Sequence, residues 1–245
     1  MPRLTGGPAD LVERQMRMYH ALQKAQGEPR AAAPGAPEQT PFVTISRQHG
    51  ANGSAIAAKV AEILGWTVYD RNLLEAIAQD AHLQDQLLEP FDERRRTQME
   101  DWVSHLMGLQ SLSEVAYHRS LFRVLSSIGH VGRAVIVGRG AHLVLPPEHG
   151  LRVRIEAPLA TRIEWAMEHD HLKRSDAEAH IAKTDRLRDE WLRRTFGPRA
   201  GRVEEAFDLM LNSSAFGEVV AAKVIVRALE AKCGVQIKWR RLNAA

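Results

Sequence analysis

Cysteine is almost absent: Cys233 is the single one in 245 residues. That excludes an intrachain disulfide and sets a reducing compartment as the expectation. Long apolar runs are missing too. Nothing approaches the ~18 consecutive apolar residues of a membrane-spanning helix, and the opening stretch MPRLTGGPADLVERQ has no apolar signal-peptide core. The cytoplasm is the expected location. Charge of one sign is also scarce. With 33 basic and 30 acidic residues the net charge is +3, too small an excess to mark a nucleic-acid binder. Neither a nucleic acid nor a membrane is expected as a partner. No serine–histidine or cysteine–histidine arrangement stands out, and Cys233, beside Gly234, has no activating neighbour. Nucleophilic catalysis is not supported.

What is present reads as an ordinary soluble chain, 44% hydrophobic and 26% charged, long enough for one α/β domain. Residues 9–25 have the spacing of an amphipathic helix, with Leu11, Met16, Met18, Tyr19 and Leu22 loosely grouped, a feature suited to docking a protein partner. Residues 27–41, rich in Pro, Ala and Gly, read as a linker. The folded domain is expected over 42–235, followed by a basic tail over 236–245. Within it, FVTIS, WTVYD, RAVIVGRG, LRVRIEA and FDLMLN read as strands and alternate with helical segments. Ser175, three residues before Glu178, has the spacing of a capping box. Such alternation predicts an α/β fold with a five-stranded parallel sheet flanked by helices in three layers. Ligands then sit beyond the carboxyl ends of the strands.

Four segments meet at those ends: the loop 46–54, Tyr69 to Arg71, Gly138 to Gly140, and the arginine-rich helix 183–194. The loop, in VTISRQHGANGSAI, is a strand–glycine–helix unit of the kind that cradles phosphate. A strict P-loop requires Gly, four residues, Gly-Lys, then Ser or Thr. Here Arg47 stands for the first glycine, Asn52 for the second, Gly53 for the lysine, and only Ser54 keeps its type. The backbone of Gln48, His49, Gly50, Ala51, Asn52 and Gly53 can still point N–H groups inward as an anion nest. The guanidinium of Arg47 is a candidate for the missing ammonium.

The opening SRQ-x-G-x-x-G-x-x-I-A with YDR, then VGRG, TDRLR and FDLMLNSS, in this order over roughly residues 42–230, resembles the cytidylate kinase-like family, a nucleoside monophosphate kinase branch of the P-loop NTPases. The resemblance implies ATP and Mg²⁺ as cofactors and transfer of the γ-phosphoryl to a nucleoside monophosphate, CMP or dCMP above all. It assigns residues 47–54 to the ATP phosphates and Ser54 to Mg²⁺. It places Asp70, Arg71, Arg139 and Asp185 at the acceptor, and Arg47, Arg139, Arg186 and Arg188 around the transferring group, the last two on a lid. Two charges that the resemblance leads one to expect from true cytidylate kinases are absent. Gly53 replaces the lysine, and the residues flanking Gly138 and Arg139 are Val137 and Gly140 where those enzymes carry a carboxylate. A catalytically impaired nucleotide sensor or partner-binding module that kept the fold therefore stays open beside the kinase, as does a kinase for another small acceptor.

The remaining signals have plain structural readings. Arg186, Arg188, Arg193 and Arg194 also suit a solvated helix face paired with Asp185, Asp189 and Glu190. An arginine at 139 with a structural role would need a carboxylate partner. The run Glu168 to His171 offers metal-ligand types, but adjacent residues on a helix do not face one another.

Overall fold

The computed structural model of the protein describes residues 40–88, 91, 93–107, 115–201, 203–237 and 239–240, with three helical positions at Ala9, Glu13 and Arg17. The helix expected over 9–25 otherwise lies outside the described residues, as do most of the linker and the last part of the tail. Among the described residues no helix is long and apolar enough to cross a membrane.

The strands are β1 (Phe42–Arg47), β2 (Thr67–Tyr69), β3 (Ala134–Val137), β4 (Gly150–Glu156) and β5 (Leu209–Asn212). They form one sheet in the order β2–β3–β1–β4–β5, every pair parallel. The helices are α1 (Gly53–Leu64), α2 (Arg71–Gln79), α3 (Ala81–Leu88), α4 (Glu93–Met107), α5 (Val115–Val131), the short α6 (Ala141–Val144), α7 (Leu159–His169), α8 (Arg174–Phe196), α9 (Val203–Ala206) and α10 (Glu218–Cys233). The expected fold class is the observed one.

Strand alternation decides which face each side chain covers. Val135 and Val137 of β3 join Val43, Ile45 and Val153 in one core, closed by Ile56 and Val60 of α1 and by Ile225 and Leu229 of α10. Ala134 and Ile136 face the other way, into a second core with Leu74, Ile77, Leu121, Phe122 and Leu125. Covering the parallel sheet on both faces buries both sides of these apolar strands. A third, smaller cluster of Ile163, Ala166, Ala177 and Ile181 holds α7 against α8, apart from both main cores. The segment Asp185 to Arg188, which the resemblance assigns to a lid, lies on α8 of that hairpin.

One local expectation fails. Helix α8 begins at Arg174, with Lys173 in the cap position and no side-chain cap bond. Ser175 thus falls inside the first turn, where its hydroxyl donates to Asp176 and no capping box forms. The C-terminal segment packs back on the domain as far as it is described. Glu230 accepts from the Ile237 N–H and the Trp239 indole, and the Arg240 N–H donates to the Ile63 carbonyl.

Buried polar chemistry in the short α6 yields a pH expectation. The His142 ring stacks on Phe207 at 4.5 Å and is held down to about 3 from its ordinary 6.5, by burial first and then by Arg154 and Arg152. A folded-state value below the unfolded one means that the unfolded chain takes up the proton first as pH falls. The stability that neutral His142 allows is complete above pH 6.5 and is lost as pH drops from there toward 3, by up to about 1.4 kcal/mol per pH unit. Urea titrations of wild type and His142→Phe should differ in acid slope across that window and run parallel above it.

Candidate functional site

The carboxyl ends of β1, β2 and β3 bring the loop, Asp70–Arg71 and the Gly138–Gly140 turn to one edge of the sheet. After β1 the chain must reverse into α1, and Gly50 (φ +77°) and Asn52 (φ +55°) take the left-handed conformations that accomplish it. Gly50 is needed for a second reason: a Cβ there would lie 2.7 Å from the Arg162 carbonyl oxygen of α7.

The loop is fastened from outside. The Gln48 N–H donates to the Ile155 carbonyl and its side-chain oxygen accepts from the Ala157 N–H. The Asn52 amide donates to Glu218 at the start of α10. The His49 N–H donates to Asp185 Oδ1 at 2.9 Å, and Asp185 Oδ2 accepts from Arg162. Among the described residues, the N–H groups of Gly50, Asn52, Gly53 and Ser54 have no acceptor elsewhere in the chain. Asp185 therefore anchors the loop to α8. Asp185→Ala would leave a loop N–H without its acceptor and the buried Arg162 guanidinium with only the His49 carbonyl at 3.4 Å, so a loss of about 2–3 kcal/mol is expected. Chemical denaturation checks it, and a change below about 1 kcal/mol would show the contact to be incidental.

The position of Arg47 explains the glycine at 53. A Cβ on Gly53 would lie 2.6 Å from Arg47 Cβ and 2.9 Å from its Cγ. The arginine stem thus fills the space that a side chain at 53 would use. Further out, Arg47 Nη1 would meet a Cβ on Gly138 at 2.5 Å. The guanidinium is therefore laid between the root of α1 and the turn after β3. The arginine in place of the first P-loop glycine and the glycine in place of the lysine are one exchange of bulk between two touching positions.

Position 140 is filled in the same manner. A Cβ on Gly140 (φ +65°) would lie 2.3 Å from the Phe196 ring, which closes α8 over the turn. No carboxylate fits there. Gly138, Arg139 and Gly140 are all left-handed, at +83°, +52° and +65°, the middle one an arginine in a conformation that favours glycine.

The electrostatics follow from crowding. Arg47 is half-buried, and among the described residues no carboxylate pairs with its guanidinium. Its pKa is lowered to about 10 by burial and then by Arg188, with Arg71 and Arg139 adding to the effect and Asp70 opposing it. Arg139 also falls to about 10, by burial and then by Arg71. Both stay charged at neutral pH. Four guanidiniums are gathered at one sheet edge, and an anion among them relieves the repulsion.

The individual residues divide as follows. Arg188 donates to the Arg47 carbonyl at 3.0 Å and so joins the cluster. Arg186 does not; it is exposed and pairs with Glu190 at 3.6 Å, as a solvated helix face would. Arg139 has the carboxylate partner that a structural role requires, in Glu75, which Arg71 also contacts at 3.2 Å. Its guanidinium lies 5.2 Å from the Trp191 ring centroid, and its Nε is buried without a partner. Asp70 caps α2, accepting from the Leu73 N–H. Ser54 is exposed in the first turn of α1. Glu75, Arg162 and Phe196 were not singled out from sequence, and Trp191 was read as a core residue. Only Glu75 carried a signal, four residues after Arg71 on one helix.

The donor set fits a polyphosphate: free N–H groups at a helix start and an unpaired guanidinium. For Mg²⁺ the fit is thinner, with the Ser54 hydroxyl and the Asp70 carboxylate as the available oxygens on this edge.

The cytidylate kinase-like family matches residues 42–215, well over half of the sequence. The chain belongs to that family. Membership points to a nucleotide kinase-like phosphotransferase. Among solved structures, an uncharacterized protein from Eubacterium ventriosum shares 17% identity at a TM-score of 0.54, covering 78% of this chain and 99% of its own. That likeness shows the fold alone. TT1252 from Thermus thermophilus aligns at 16% identity and a TM-score of 0.45, over 80% of this chain and 98% of its own. No curated protein sequence matches.

Proposed function

We propose that this member of the family is a phosphotransferase that moves the γ-phosphoryl of ATP to a nucleoside monophosphate, with CMP or dCMP the preferred acceptor. The observation that carries the reading is the Arg47 guanidinium, half-buried at the root of the phosphate loop with no carboxylate partner among the described residues. An arginine in that setting is stabilised by an anion and by little else.

The N–H groups of residues 50 and 52–54 cradle the donor phosphates at the start of α1. Arg47 takes the charge that a lysine supplies in the strict motif. Arg139 and Arg71, held by Glu75, orient the acceptor phosphate, and Arg188 closes over the transferring group from α8. Phosphoryl transfer asks for positioning and charge neutralisation more than for covalent chemistry. Bound Mg²⁺ would neutralise phosphate charge; Ser54 would hold it, with Asp70 or Asp185 as the candidate carboxylate. Purified protein should form CDP from CMP and ATP with Mg²⁺. Absence of any nucleoside diphosphate with every acceptor tried would overturn the assignment.

The second reading is a nucleotide sensor that keeps the fold without turnover. Phe196 favours it, because its ring takes the space beside the turn where the resemblance to true cytidylate kinases leads one to expect a carboxylate. Calorimetry separates the two: the sensor binds ATP or CMP and yields no product.

A further inference from the structure

His49, Asp170 and His180 come from three separate elements, the phosphate loop, the end of α7 and the first half of α8. Their donor atoms lie within 4.8 Å of one another. His49 Nε2 is 2.9 Å from Asp170 Oδ2, and the rings of His49 and His180 stand edge to face at 4.9 Å. His49 is fixed from behind by its N–H bond to Asp185, and the Trp165 ring walls the site at 5.8 Å. His171 adopts a left-handed conformation (φ +56°), which turns the chain after Asp170 toward α8. His169 is diverted elsewhere, its Nδ1 on the Trp165 carbonyl and its ring stacked on the indole at 4.4 Å. The run Glu168 to His171 is thus no metal site by itself. One member of it meets two histidines distant in sequence.

We propose that His49, Asp170 and His180 bind a divalent transition-metal ion, Zn²⁺ foremost, that clips the phosphate loop to the α7–α8 hairpin. Two imidazoles and one carboxylate suit Zn²⁺ and its neighbours in the transition series, whereas Mg²⁺ and Ca²⁺ require an all-oxygen shell. Tetrahedral Zn²⁺ with bonds of ~2.0–2.1 Å holds its ligand atoms about 3.4 Å apart. Rotation of the two exposed side chains, Asp170 and His180, closes the difference. A three-residue set leaves the fourth position to water. The site lies beside the proposed ATP-phosphate site and does not depend on the assignment of the reaction.

The test is competition for Zn²⁺ between the full chain and a chromophoric chelator, with Mg²⁺ in excess. Wild type should take up one equivalent and melt at a higher temperature with Zn²⁺ than without. His180→Ala and Asp170→Asn, both exposed changes, should each weaken that binding by at least about tenfold and abolish the thermal shift. His171→Ala should leave both intact. Failure of wild type to compete would overturn the proposal. So would retention of affinity in His180→Ala and Asp170→Asn, or its loss in His171→Ala, since either would place the ion on other histidines.

Discussion

Replacing Arg47 with alanine is expected to lower phosphoryl transfer by about 10²–10³-fold, the usual cost of removing one preorganised charged donor, and to weaken ATP binding alongside. The stability of the protein should move in a different manner. Arg47 has no carboxylate partner among the described residues and is crowded by Arg188, Arg71 and Arg139. Its removal relieves repulsion as it removes packing over Gly53, and the net change should stay within about 1 kcal/mol. This is the reverse of Asp185→Ala, whose first effect falls on folding. Steady-state kinetics and urea titration on the same preparations check the pair. Arg47→Lys should fall between, because a lysine keeps the charge and loses the two-pronged donor. An Arg47→Ala enzyme with unchanged kinetics would show that the phosphates are held elsewhere.

Restoring the family lysine alone is expected to do harm. In Gly53→Lys the new Cβ would meet the Arg47 stem at 2.6 Å, a contact with backbone-proximal carbons that side-chain rotation cannot clear. Overpacking of this sort costs about 1–3 kcal/mol, and the displaced guanidinium takes its charge away from the loop. Activity should drop although a lysine has been supplied. Combined with Arg47→Gly, which removes the offending Cβ, the lysine gains room and the two ends of the strict motif return together. The double variant should be more stable and more active than Gly53→Lys. The two sites should show a coupling of about 1–3 kcal/mol in a double-mutant cycle. Additive effects would mean that the two positions do not exchange bulk. No comparable repair is open at Gly140. There Asp would need both a left-handed conformation and the space of the Phe196 ring, so Gly140→Asp should destabilise without restoring activity.

These expectations also mark how far the sequence could be read. Apolar, β-branched runs in FVTIS and AVIV, glycines at helix ends and the strand–helix rhythm act over short distances, and all three were legible. The parallel sheet and the strand-end location of the loop follow from them; the strand order β2–β3–β1–β4–β5 does not, because it is set by pairing between distant strands. What the sequence hid was contact between distant residues. Nothing in one dimension places Arg47 over Gly53, Phe196 over Gly140, or Asp185 on the His49 N–H. The arginine-rich helix shows the limit most plainly. Arg186 and Arg188 are two residues apart, yet helical geometry turns one to Glu190 and solvent and the other to the Arg47 carbonyl. The family resemblance named both; only the packing of α8 against the loop separates them.

The most direct measurement is a crystal structure with a non-hydrolysable ATP analogue and Mg²⁺ bound. The Arg47 guanidinium should lie within ~3 Å of a phosphate oxygen, with the N–H groups of residues 52–54 around the same group. Phosphates bound at another edge of the sheet, or an Arg47 side chain that never approaches them, would contradict the exchange of lysine for arginine on which the functional reading stands.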